Sequence, residues 1–136
     1  MTLVELLAVI VILGILATIG VVTMSSVIQH QKDRAFVGNA LALKEGTSLY
    51  IQQELASGNT LPAKITYKEL NDAMILDKFK DPDTSNYLEP NDASYVTVSG
   101  NSPVAVCLKG ERRSLCPEGR PILYSELSTE HLTRNN

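Results

Sequence analysis

From Leu6 to Ile28 nearly every position is Leu, Ile, Val or Ala, and no Asp, Glu, Lys or Arg occurs before Lys32 except Glu5. Gly14, Thr18, Gly20, Thr23, Ser25 and Ser26 relieve the run. A helix that is apolar on all sides needs an apolar medium around it rather than one core-facing stripe. At ~1.5 Å per residue this run spans roughly 35 Å, enough for a hydrocarbon layer of about 30 Å. Inside lipid a lone span is helical, because no water is there to satisfy its amides. A cleaved secretory signal fits less well. No Lys or Arg precedes the run, it exceeds the ~7–15 residues of an ordinary apolar region, and no small-x-small site follows.

Past Ile28 the pattern becomes one-sided. Phe36, Ala40, Leu43, Thr47 and Tyr50 recur every three or four residues, with Leu55 extending the stripe, while Lys32, Asp33, Arg34, Lys44, Glu45, Gln52 and Glu54 occupy the other faces. Gly58-Asn59 and Pro62 end the helix. The pattern thus predicts one helix of ~55 residues, about 80 Å long. Its apolar part is residues 1–28 and its amphipathic part residues 29–56, with a small head at 57–136. In the head, Thr66-Tyr67-Lys68-Glu69 has capping-box spacing and opens a short helix through Ala73 or Ile75. Asp77 to Asp92, dense in Asp, Asn, Pro and Ser, reads as loop. Tyr95–Val98 and Val104–Leu108 read as strands joined by a turn at Gly100-Asn101-Ser102. A second turn at Lys109–Arg112 leads to a strand near Ser114–Cys116. Ile122–Tyr124 reads as an edge segment, and Ser125–Leu132 as one or two helical turns. The expected fold is α+β: a lollipop whose long helix packs on a small antiparallel sheet.

Composition narrows the function classes. The apolar share of 44% excludes disorder, and a net charge of −3 gives no support for nucleic-acid binding. His30 and His131 stand alone, so no metal site follows. No nucleophile, base and orienter occur together, and no Gly-rich loop is built to hold phosphate. The expectation is a non-enzyme without a cofactor.

Glu5 is the residue that asks for a reason. A carboxylate costs about 2.5–3.5 kcal/mol at a bilayer centre and less near the interface. The positive end of the helix dipole favours it as a first-turn acid. The functional alternative is a pairing with an α-amino group, its own or a neighbour's. The opening Met1-Thr2-Leu3-Val4-Glu5-Leu6-Leu7-Ala8-Val9-Ile10 and the apolar helix through Ala17 resemble the mature N-terminus of type IV pilins, over about the first twenty-five residues. That family carries its Glu at the fifth mature position and usually opens on Phe. Here Met1 stands first, and Val22 replaces a common Pro. The resemblance implies cleavage by a prepilin peptidase, N-methylation of Met1, and assembly through Met1 and Glu5. Gly14 and Gly20 are the points of helix flexibility, at about 1 kcal/mol of helix cost each.

The resemblance further implies a homo-oligomeric helical filament on the bacterial surface. Its subunits wait in the plasma membrane, with one span each, for the pilus assembly machinery. Adhesion, twitching motility, aggregation or DNA uptake would be its uses. A pseudopilin of a secretion or competence system is the alternative within this class. A monomeric membrane-anchored ligand-binding protein is the alternative outside it.

Three features of the head bear on these readings. Cys107 and Cys116 face each other across the predicted hairpin, and an extracytoplasmic head permits a disulfide between them. Two buried thiols, or metal or redox chemistry, are the other possibilities. Asp81, Asp83, Ser85, Tyr87, Glu89 and Asp92 have the offsets of a calcium loop, but Asn86 replaces its Gly and Pro82 and Pro90 stiffen it. An ordinary turn loop is the plainer reading, and Lys80-Asp81-Pro82 before it also resembles pilins. Lys109, Arg112, Arg113 and Arg120, diluted by Glu111 and Glu118, read as a solvated hairpin surface, with contact to DNA phosphates the sharper alternative.

Overall fold

The computed structural model describes residues 2–135, leaving the side chains of 21–23 undescribed. The fold is α+β: a 54-residue helix, α1 (Leu3–Ala56), followed by an antiparallel sheet. By compactness the chain divides into two units, Met1–Lys32 and Asp33–Asn136.

In the first unit α1 is helical throughout, and every described side chain through Gln31 is exposed. The helix runs unbroken from Gly14 past Gly20, and the Thr18 hydroxyl donates to the Gly14 carbonyl at 3.0 Å.

In the second unit the helix has a dry face. Phe36, Ala40, Leu43 and Thr47 are buried and Tyr50 is half-buried, as the periodicity requires. The expected Leu55 is instead 47% exposed, and Ile51 takes the last core place. At 3.6 residues per turn Ile51 is one turn beyond Thr47, whereas Leu55 has rotated off the face. The helix ends in a Schellman cap. The Gly58 N–H donates to the Leu55 carbonyl at 3.1 Å and the Asn59 N–H to the Glu54 carbonyl at 3.0 Å. Gly58 takes the left-handed conformation this cap needs, at φ 75°.

The chain then adds β1 (Lys64–Thr66) and α2 (Tyr67–Asp72). Thr66 caps α2 as its sequence suggests: its hydroxyl accepts from the Glu69 N–H at 3.1 Å, and the Glu69 carboxylate accepts from the Thr66 N–H at 3.2 Å. β2 (Tyr95–Ser99) and β3 (Ser102–Lys109) form a hairpin through Gly100 and Asn101. The two-residue loop is left-handed at both positions, matching the twist of the flanking strands. β4 (Arg113–Leu115) pairs with β3, as does β5 (Ile122–Leu123), and β6 (Thr133–Arg134) pairs with β4. The sheet order is β1-β2-β3-β4-β6, with β5 on β3. Short 3-10 turns at Tyr124–Glu126 and Thr129–His131 fill the stretch read as helical turns. The core joins Phe36, Leu43 and Ile51 of α1 to Tyr67 and Leu70 of α2 and to Ile65, Val96, Val106, Leu108 and Leu115 of the sheet.

Candidate functional site

The N-terminus of α1 is built by a second capping box. The Thr2 hydroxyl accepts from the Glu5 N–H, and the Glu5 carboxylate accepts from the Thr2 N–H, each at 3.3 Å. Thr2 and Glu5 have the T-x-x-E spacing that Thr66 and Glu69 share. The carboxylate therefore has a local donor and lies at the positive end of the helix dipole. Both stabilise an acid at the head of an apolar segment, and neither neutralises its charge. Met1, assigned to assembly and N-methylation, lies outside the described residues. Around Gly14 and Gly20 nothing comes within 4 Å of where a Cβ would sit, so no contact within the chain requires glycine there. The span is long and apolar enough to cross a membrane, and none of its most apolar window is buried.

The head holds a different chemistry. Cys107 and Cys116 are joined in a disulfide, with Cα atoms 4.7 Å apart. They lie one step beyond the Leu108–Leu115 pair of the β3–β4 hairpin. Both are buried, so the bond staples the core rather than standing as a surface loop.

The turn between these strands is tied to the loop at Asp77 to Asp92 through Asp81, which is 2% exposed. Its carboxylate accepts from the Glu111 N–H at 2.8 Å and from the Asp83 N–H at 2.9 Å. A Cβ on Gly110 would lie 2.9 Å from that carboxylate, 2.9 Å from the Phe36 ring and 2.8 Å from the Arg113 carbonyl. Only glycine lets the turn close on Asp81. Tyr67 fixes the other side of the loop. Its hydroxyl donates to the Leu88 carbonyl at 2.7 Å, and its ring stacks on Phe79 at 4.5 Å. Burial raises its phenol pKa, and that of Tyr124, above the usual value.

Asp83 does not converge with Asp81 on a cation site. It holds Arg113 in a fork, with Nε and Nη2 each 2.9 Å from its oxygens. Arg113 Nη1 also reaches Asp33 of α1 at 2.6 Å. These carboxylates, Asp83 foremost, hold the guanidinium more firmly charged. The guanidinium carbon lies 6.0 Å from the Phe36 ring centre. Of the other loop candidates, Glu89 pairs with Lys78 at 2.9 Å, and Tyr87 stands exposed beside Lys80. Ser85 donates its N–H to the Asp81 carbonyl, and Asp92 is exposed. Among the described residues no three carboxylate, histidine or cysteine groups gather as metal ligands.

Arg113 is the functional-looking residue that sequence reading placed wrongly. Its place in sequence groups it with Lys109, Arg112 and Arg120 as hairpin surface, yet it is withdrawn into the junction of helix, loop and hairpin. Its partners lie 30 and 80 residues away in sequence, beyond any local pattern. Lys109, Arg112 and Arg120 are exposed. No family model, curated protein or solved structure matches this chain.

Proposed function

We propose that the chain is a pilin-type subunit that polymerises through its N-terminal helix into an extracellular filament. One observation carries the reading: a single carboxylate, Glu5, opens a stretch of helix that is otherwise uncharged through Gln31 and apolar on all sides. Before assembly the helix lies in the plasma membrane, with Glu5 near the headgroups and held by Thr2. Assembly transfers the helix into a bundle of identical helices. Lipid is as apolar as those neighbours, so the exchange gains little hydrophobic energy. Direction and register must then come from packing and from charge. Among the described residues Glu5 meets no cation; the Met1 ammonium of the next subunit supplies one in the fibre, and that pairing sets a one-subunit step. A head-to-tail contact that does not close on itself gives a helical fibre.

The test is Glu5→Ala in a strain expressing only that variant. Breaking a buried ion pair by removing one partner costs about 3–5 kcal/mol. In the membrane pool the orphaned ammonium still reaches the headgroups, so the variant accumulates there. Sheared fibres should vanish while the membrane fraction stays at wild-type level by immunoblot. Normal fibre yield from Glu5→Ala would sink the mechanism.

A further inference from the structure

The turn after α2 holds a methionine where glycine is the ordinary residue. Met74 occupies the left-handed position of the α2 cap, at φ 59°. Its N–H donates to the Asn71 carbonyl at 3.0 Å, and the Ile75 N–H donates to the Leu70 carbonyl at 3.1 Å. A side chain is strained in this conformation, which is why such caps favour glycine. The strain is not offset by burial, because Met74 is 94% exposed. A backbone held in a strained conformation where its side chain gains no burial is an outlier from which a function can be inferred. Asp72 and Asp77 flank it, both exposed and neither in an ion pair among the described residues.

The face of α1 turned from the core offers a matching groove. Leu41 and Leu49, 44% and 51% exposed, border a depression of about 470 Å³ completed by Lys44, Glu45 and Ser48. Lys44 is its one cation among the described residues. Its Nζ rests 5.3 Å from the centre of the Tyr124 ring and has no carboxylate partner among them.

We infer that Met74 of one copy seats in the Leu41–Leu49 groove of a second copy, with Asp72 against Lys44. The inference rests on the filament reading and names a head-to-head contact within it. An unbranched, polarisable thioether suits an irregular groove. The acidic rim around the knob meets the cation, while Glu45 on the same groove repels the reversed placement. Knob and groove are different patches of one chain, so the contact is heterologous and can repeat from copy to copy.

Met74→Gly tests this without risk of misfolding, since glycine relieves the backbone. In a strain making only this variant, the head should melt at a higher temperature than wild type, yet sheared fibre yield should fall about tenfold. Lys44→Asp should lower the yield similarly, and Lys44→Asp with Asp72→Lys should restore it. A chain carrying Met74→Cys and Leu49→Cys should give a ladder of covalent multimers in sheared fibres, where each single variant gives none. Wild-type fibres with undiminished Met74→Gly yield would overturn the contact and leave the filament reading standing. Covalent dimers from Met74→Cys alone would also overturn it, by showing a symmetric contact. Absence of fibres from the wild-type chain would overturn the filament reading and the contact with it.

Discussion

Along α1, every described side chain through Gln31 is exposed, whereas Phe36, Ala40, Leu43 and Thr47, on the next turns, are buried. Both stretches are helical, and both are rich in apolar residues. They differ in where the apolar residues fall. In the first they surround the axis, so no single neighbouring element could cover them, and the stretch is long and apolar enough to cross a membrane. In the second they keep to one side, and a small sheet covers them. The charges follow the same division. Glu5 meets only a neutral donor, Thr2, within the described residues of its unit. In the head, Asp33 and Asp83 share Arg113, and Glu89 has Lys78. The head thus pairs these acids with cations, while among the described residues Glu5 meets no cation.

The largest break in this contrast comes from Arg113→Ala. It strips Asp83 of a two-bond fork and takes one ion-pair contact from Asp33, at a junction where the side chains are 10% and 22% exposed. Removing one partner of a largely buried pair costs about 3–5 kcal/mol, and the lower end applies to this partly wet site. Thermal unfolding of the full chain in detergent should show the head weakened by that amount, with the far-ultraviolet helix signal of residues 3–31 retained after the head has melted. Arg113→Lys keeps the charge but not the fork, and should recover only part of the loss. A head as stable as wild type in Arg113→Ala would mean that the ion cluster contributes nothing to its stability.

Next in size is the disulfide. Replacing Cys107 and Cys116 together with Ala removes a closure over a sequence separation of 9. A loop this short is worth about 2–3 kcal/mol in chain entropy. For a head of roughly 100 residues that lowers the melting point by about 10–20 °C. Calorimetry with and without reductant should give matching shifts, and a midpoint indifferent to reduction would refute the staple.

How much of this was legible depends on the distance over which each feature is encoded. Thr66-x-x-Glu69 was readable because a capping box is complete within four residues. The β2–β3 hairpin was readable because alternation on both sides brackets Gly100-Asn101. Thr2-x-x-Glu5 has the same local signature, but a first-turn acid is already favoured by the helix dipole, so nothing in the pattern draws attention to the Thr2 half of the box. β1 and β6 were missed for a physical reason. At three and two residues they have no alternation to show, and they exist because β2 and β4 offer them an edge. The Arg113 cluster joins three segments remote in sequence, so its local neighbours Arg112 and Lys109 gave the wrong context. The disulfide was open to reading only after the hairpin had been placed.

The smallest effect sharpens the contrast most, because one substitution can be made in both regions. Gly38 and Gly20 are both helical, and a Cβ on either meets nothing within 4 Å. Changing either to Ala removes the same intrinsic penalty, about 0.8–1 kcal/mol in a helix interior. The consequences differ because the residues lie in different compact units. Gly38 belongs to the head, so the gain adds to the free energy of the head's cooperative transition. Its melting point should rise by about 4–8 °C for each kcal/mol. Gly20 lies where every described neighbour on the helix is exposed and no core holds it. Gly20→Ala should leave the head's melting point unchanged. Calorimetry of both variants in one detergent separates the outcomes. Equal upward shifts would mean that the apolar helix and the head unfold as one cooperative body, and the division between Lys32 and Asp33 would then have no thermodynamic meaning.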